Sequence, residues 1–174
     1  ETLNWKFNEI NGNYSYFFKN VEPIFAKDDL TLANLEGPLT TATENADKKF
    51  AFKGDPKYVN ILKAGKVEAV NIANNHTRDY GMEGFYDTVK YLEKAEIYYS
   101  GEGYTTIYKV KNKKIGMAGY RGWVGSIKPQ IKNDIEKLKK QGADIILFSF
   151  HWGEERENYP NDLQKELGKY AIDN

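Results

Sequence analysis

Residues 145–153 read Ile-Ile-Leu-Phe-Ser-Phe-His-Trp-Gly. Positions 145–150 are apolar except for Ser149, a run too short for a helix and rich in the branched and aromatic side chains that suit a strand. The strand stops at His151-Trp152-Gly153. Just upstream, Pro129–Lys140 carries helical spacing and closes at Gly142, and a last helix starts near Asn161-Asp162. Helix, buried strand, helix is the signature of an α/β domain, and the rest of the chain repeats it. Val67–Ile72 reads as a buried strand ending at Asn74-Asn75-His76. It is preceded by a helix that starts at Asp55-Pro56 and ends at Gly65, and followed by a helix over Met82–Lys94. Leu30–Asn34 reads as a short strand stopped by Gly37-Pro38. Ile107–Val110 and Ile115–Ala118 flank Lys111-Asn112-Lys113-Lys114 as a β-hairpin, so the sheet is expected to be mixed. Tyr14–Ala26 reads as a helix interrupted by Pro23, residues 39–49 as an exposed polar loop, and Phe50–Phe52 as a short edge strand. The expected architecture is a single α/β layered domain over residues 1–174, its sheet covered on its faces.

Composition narrows the chemistry. The 174 residues carry 25 Lys+Arg and 25 Asp+Glu, for a net charge of zero, with no Cys and two His. Charge balance removes the basic footprint of a nucleic-acid binder, and no apolar run approaches the ~20 residues of a membrane span. Without Cys there is no disulfide framework, thiolate metal site or Cys nucleophile. Imidazole chemistry can fall only to His76 and His151.

Both histidines lie at strand ends. Asn34-x-Glu36, Asn74-Asn75-His76-x-x-Asp79 and His151-Trp152-Gly153 each follow a strand, where ligands bind in open α/β sheets. Mixed carboxylate, amide and imidazole groups suit Zn, Mn or Fe better than Mg or Ca. Each cluster also has a plain reading. Glu36 can cap a turn, Asn74-Asn75 can supply left-handed turn conformations, Asp79 can cap the next helix, and His151 can be a satisfied structural residue.

The strings DLTLANLEGPLT (29–40), VNIANNHTRDYGMEG (70–84) and FHWGEE (150–155) resemble the bacterial CapA/PgsA capsule-synthesis proteins. The resemblance extends to DPKYVNILKAGKVEAVN and NYPNDLQKELGKYAIDN, from about Asn8 to Asn174. It implies a calcineurin-like metallophosphoesterase fold with αββα layers, incomplete in this chain: the family's Gly-Asp motif is expected just before Glu1 and its Gly-His-His-Pro-His motif just after Asn174. It further implies Glu36, Asn75 and His151 as metal ligands, His76 as a phosphate contact and acid, and Asp79 as its orienting partner. Two divalent ions (Mn, Zn or Fe) are implied for the complete protein. Asn34, Asn74, Glu155 and Arg156 become candidate substrate contacts. Arg156 replaces an aromatic residue of the family pattern, and reads either as a bidentate oxyanion contact or as a surface residue.

The implied process is biosynthesis or export of a poly-γ-glutamate-type capsule. Expected partners are membrane synthase and export proteins and an anionic polymer or phosphorylated precursor. The expected location is outside the cell membrane, tethered by a segment absent here. Phosphoester hydrolysis and a non-catalytic scaffold role both stay open, and this chain alone is expected to be inactive as a hydrolase.

Overall fold

Asp55 shows how closely local sequence sets local structure. Its carboxylate accepts the Lys57 N–H at 2.9 Å, Pro56 takes the first turn, and a 3₁₀ turn over Pro56–Tyr58 leads into helix α3, Val59–Ala64, which Gly65 closes. The computed structural model describes residues 2–174, and its elements follow the alternation expected above. Helices α1 (Thr2–Glu9) and α2 (Glu22–Phe25) precede strand β1 (Leu32–Asn34). Beyond α3 come β2 (Ala69–Asn71), α4 (Gly81–Lys94), β3 (Tyr98–Ser100), β4 (Thr106–Val110), β5 (Lys113–Arg121), α5 (Lys128–Lys140), β6 (Ile145–His151) and α6 (Asp162–Asp173).

The chain is α/β with two three-stranded sheets, ordered β1-β2-β3 and β4-β5-β6. The first is parallel. Ala69 N–H donates to Thr31 O and Leu35 N–H to Asn71 O, while Tyr98 N–H donates to Glu68 O and Ile72 N–H to Ser100 O. The second is mixed, as the hairpin required: β4 pairs antiparallel with β5, and β5 parallel with β6.

Two units divide the residues. The first takes the chain up to Ala33, Gly37–Val70 and Arg78–Tyr98; the second takes Asn34–Glu36, Asn71–Thr77 and Tyr99–Asn174. In the first, Phe7 packs edge-on against Tyr58 and beside Tyr14, and α4 buries Phe85, Val89 and Leu92 along one side. In the second, alternate residues of β5 and β6 (Ala118, Tyr120, Phe148, Phe150) meet Ile131, Ile135 and Leu138 of α5 and Leu167 of α6. Side chains alternate across a strand, so Gly119, Arg121 and His151 lie on the opposite face.

Four local expectations are corrected. Tyr14–Ala26 is not one helix: Asn13 caps a 3₁₀ turn over Tyr14–Phe17, and Pro23, which has no N–H to give a continuing helix, starts the short α2. Residues 39–49 are not wholly exposed, because Leu39, Thr40 and Ala42 are buried. Thr88 Oγ1 accepts the Leu39 N–H, and Thr40 Oγ1 donates to Asp87, both on α4. Phe50–Phe52 forms no strand; the pairing there is an isolated bridge between Leu39 and Gly54. Helix α1 and strand β3 were not anticipated, and β5 runs three residues past the expected Ala118 to Arg121.

Candidate functional site

Strand β2 is buried at every residue, and the chain leaving it carries the candidate histidine. Asn74 is fully buried. Its Nδ2 donates to Leu35 O at 2.9 Å and to Asn34 Oδ1 at 3.4 Å, and its Oδ1 accepts the His76 N–H at 3.0 Å. Thr77 Oγ1 donates to Ile72 O and accepts the Asn74 N–H. An amide at position 74 therefore ties the chain after β1 to the chain after β2 and shapes the turn that presents His76. The left-handed turn conformation considered for Asn74-Asn75 is not used: neither has a positive φ.

His76 is largely buried, and its Nε2 lies 3.8 Å from Glu36 Oε1, a charge-pair distance longer than a hydrogen bond. Glu36 is 40% exposed, and its other oxygen accepts from Asn34 Nδ2 at 3.3 Å. Asn34, Glu36, Asn74, Asn75 and His76 thus belong to one unit, with Asn75 exposed beside the pair. Asp79 lies in the other. Its carboxylate, 1% exposed, accepts from Lys48 Nζ at 2.5 Å and from the Phe52 N–H at 2.7 Å, which ties down the 46–52 loop.

His151 ends β6, directly beside Arg121 of β5. The Trp123 ring meets the imidazole edge-on, 5.5 Å between centroids, and Trp123 Nε1–H donates to Gly153 O at 3.0 Å. Trp152 points the other way, stacked on Phe150 at 4.4 Å. Glu155 and Arg156 are exposed in the following loop, Arg156 in the left-handed region at φ +69°.

Sequence reasoning missed Arg121 and its partner Glu102. Arg121 Nε and Nη2 donate to the two Glu102 oxygens at 2.8 and 3.2 Å, a two-pronged pair beside His151. Arg121-Gly122-Trp123 is a fourth polar strand end, visible only once β5 is carried past Ala118.

Metal donors are present in kind. Glu36 offers an exposed carboxylate, Asn75 an exposed amide and His151 a half-buried imidazole, the mixed oxygen and nitrogen set that a borderline ion accepts. Among the described residues no group of three or more His, Asp or Glu is gathered as a metal centre.

An α/β chain with amide, carboxylate and imidazole groups at its strand ends has polar groups where open α/β sheets bind ligands. Its sequence matches the family described as "Bacterial capsule synthesis protein PGA_cap" over residues 2–174, and the chain belongs to that family. It is 30% identical over 179 residues to the PGA biosynthesis protein CapA of Bacillus subtilis, covering 90% of this chain and 47% of the relative. It is 28% identical over 186 residues to the capsule biosynthesis protein CapA of Bacillus anthracis, covering 91% of this chain and 45% of the relative. A probable polyglutamine synthesis accessory protein of Mycobacterium tuberculosis is 38% identical over 76 residues, 43% of this chain and 20% of that protein. The chain spans about half the length of the Bacillus relatives it matches.

Proposed function

We propose that the chain serves in the biosynthesis or export of a poly-γ-glutamate-type capsule polymer, at the cell envelope and alongside membrane synthase and export proteins. Its strand-end site engages a phosphorylated precursor or the acidic polymer. The observation that carries the chemical part is the Glu36–His76 pair: a carboxylate 3.8 Å from a largely buried imidazole whose turn Asn74 fixes. An imidazole so placed can hold a phosphoryl oxygen or, when protonated, donate a proton to a departing phosphoester oxygen. Glu36, Asn75 and His151 are the proposed donors for a divalent ion of the Mn, Zn or Fe type, which when bound would polarise phosphoryl oxygens and lower the pKa of a water. No described helix is long and apolar enough to cross a membrane, so the proposed membrane tether lies outside these helices.

The test is turnover of a phosphodiester such as bis(p-nitrophenyl) phosphate by the full-length protein, with its metal content measured in parallel. His76→Ala should lower turnover by at least ~10²-fold, the usual contribution of a general acid. His151→Ala should lower bound metal. Metal-free protein, or turnover indifferent to His76→Ala, overturns the hydrolytic reading.

A scaffold role is the second reading, prompted by the lack, among the described residues, of a gathered group of three or more acidic and imidazole donors. It predicts that Glu36→Ala combined with His151→Ala leaves capsule production intact in a capsulated host. Loss of capsule with folded, normally abundant protein would refute it.

A further inference from the structure

The Arg121–Glu102 pair is built at some cost. Gly101, Glu102 and Gly103 have φ of +115°, +52° and +94°, three consecutive residues in the half of conformational space that L side chains avoid. A non-glycine residue held there costs about 1 kcal/mol or more. Gly101 has no alternative, since a Cβ would sit 2.7 Å from Ala73 N and 2.9 Å from Asn71 Oδ1. Reciprocal backbone hydrogen bonds between Gly101 and Tyr104 close the turn. Its product is a Glu102 carboxylate that is 5% exposed and gripped by a guanidinium that is 44% exposed.

With its guanidinium still 44% exposed the pair is partly screened by solvent, so stability alone is a poor reason for a strained turn. The pairing geometry suggests a better one. Glu102 takes the Nε/Nη2 side of the guanidinium, so the pair itself does not use the Nη1/Nη2 end of this 44% exposed side chain. The parallel register sets Arg121 and His151 side by side on the face of the sheet away from α5 and α6, and Trp123 stands against the imidazole. An Arg end face held still, next to an imidazole and an indole, is a fork for a planar or tetrahedral oxyanion.

We propose that Arg121 is an oxyanion-anchoring residue of the strand-end site, with Glu102 as the residue that positions it. The ligand class is a carboxylate or a phosphoryl group. The proposal rests on the reading of the strand ends as the functional site and assigns that site an anchor not supplied by the histidine motifs. It requires no metal and no bond-making step.

Side-chain ¹⁵N NMR of the chain at low salt tests it, with inorganic phosphate and glutarate as separate probes. The expected result is a saturable shift of the Arg121 Nε–H and Trp123 Nε1–H signals with at least one probe; whichever binds more tightly identifies the oxyanion. Arg121→Ala should weaken binding, followed at Trp123, by about tenfold or more, and Arg121→Lys by threefold or more, because a point charge does not replace a fork. Glu102→Ala should leave the fold intact by circular dichroism, speed solvent exchange of the Arg121 Nε–H, and weaken binding threefold or more; unchanged or tighter binding overturns the positioning role. Absence of a saturable shift with both probes, or equal binding by Arg121→Ala, overturns the anchor. Binding that survives His151→Ala within about twofold and disappears with Arg121→Ala supports the anchor even where the metal and phosphodiesterase assays fail, so the two readings fail separately.

Discussion

Gly119 sits near the C-terminal end of β5, and replacing it with Ala tests the packing behind the site. A Cβ built there lies 1.9 Å from Asn71 Oδ1, 3.0 Å from Asn71 Cγ and 3.2 Å from Gly101 Cα. None of these can move cheaply. Asn71 is buried, its Oδ1 accepting the Ala73 N–H at 3.2 Å and its Nδ2 donating to Ala73 O at 3.1 Å, so a rotation breaks both bonds. Gly101 is backbone in the strained turn that carries Glu102. Overpacking costs about 1–3 kcal/mol and an orphaned buried amide about another 1–3 kcal/mol, so Gly119→Ala should destabilise by about 4 kcal/mol. For a chain of this size that corresponds to a fall in Tm of about 8–16 °C. Urea and thermal unfolding followed by circular dichroism measure it. Gly125→Ala is the control: its Cβ would meet only Leu163 Cδ1, at an ordinary 3.7 Å, and the change should stay within about 0.5 kcal/mol. The double variant Gly119→Ala/Asn71→Ala should recover part of the loss, since the colliding amide is gone. A Gly119→Ala protein within about 1 kcal/mol of the parent would refute the claim that Asn71 and Gly101 close the space above β5.

Three further outcomes follow from individual side chains. Asp79→Ala removes the buried carboxylate that accepts from Lys48 Nζ and the Phe52 N–H and should cost about 2–3 kcal/mol in urea unfolding; a loss under about 0.5 kcal/mol would remove its structural duty. Burial, reinforced by the hydrogen bond to Asp134, holds the Tyr120 phenol far above its ordinary range. Its folded pKa is raised, so its contribution is fully present below about pH 10 and lost as pH rises beyond that; Tyr120→Phe should flatten the alkaline stability profile, and an unchanged slope would count against it. The Lys114 N–H holds the Asp144 carboxyl below its usual range, helped by Lys113. That contribution is present above the ordinary carboxylate pKa and fades as pH falls through the folded value, so Asp144→Asn should be the less stable protein at neutral pH, with the gap closing in acid; a gap independent of pH would contradict the assignment.

Much of this was legible in the residues, and the failures have physical causes. α4, α5 and α6 were readable because each buries a face that imposes a period on its sequence, and β2 and β6 because they lie in continuous apolar runs. β3, Tyr-Tyr-Ser, has neither a period nor an apolar run, and α1 presents a single buried residue, Phe7. At the site, Glu36 and His76 do come together, as their placement at strand ends suggested. Asn74, read as a turn former or substrate contact, does shape its turn, and is also a buried tie whose partners are carbonyls and amides that no side-chain pattern reveals. Arg121 escaped notice because the hairpin's apolar signal ends at Ala118, while the strand continues on pairing with β6. The Gly-Glu-Gly turn at 101–103 was the available clue, a charged residue framed by the two residues most tolerant of positive φ.

The clamp between Lys114 and Asp144 bears on how such a chain tolerates insertions and deletions. The Lys114 N–H donates to Asp144 Oδ2 while the Asp144 N–H donates to Lys114 O, each at 2.8 Å, just where β5 and β6 begin their parallel run. Seven residues later, about 20 Å along the strand, the same alignment delivers Arg121 beside His151. A one-residue slip between the strands would send every β6 side chain to the other face. A length change inside the Gln141–Ala143 turn is absorbed at the clamp, whereas one between the clamp and the strand tip separates the guanidinium from the imidazole without touching either. Variation in length should therefore be tolerated outside these two strand segments and excluded within them, so that a turn at the foot of the sheet governs which chemistry survives at its head.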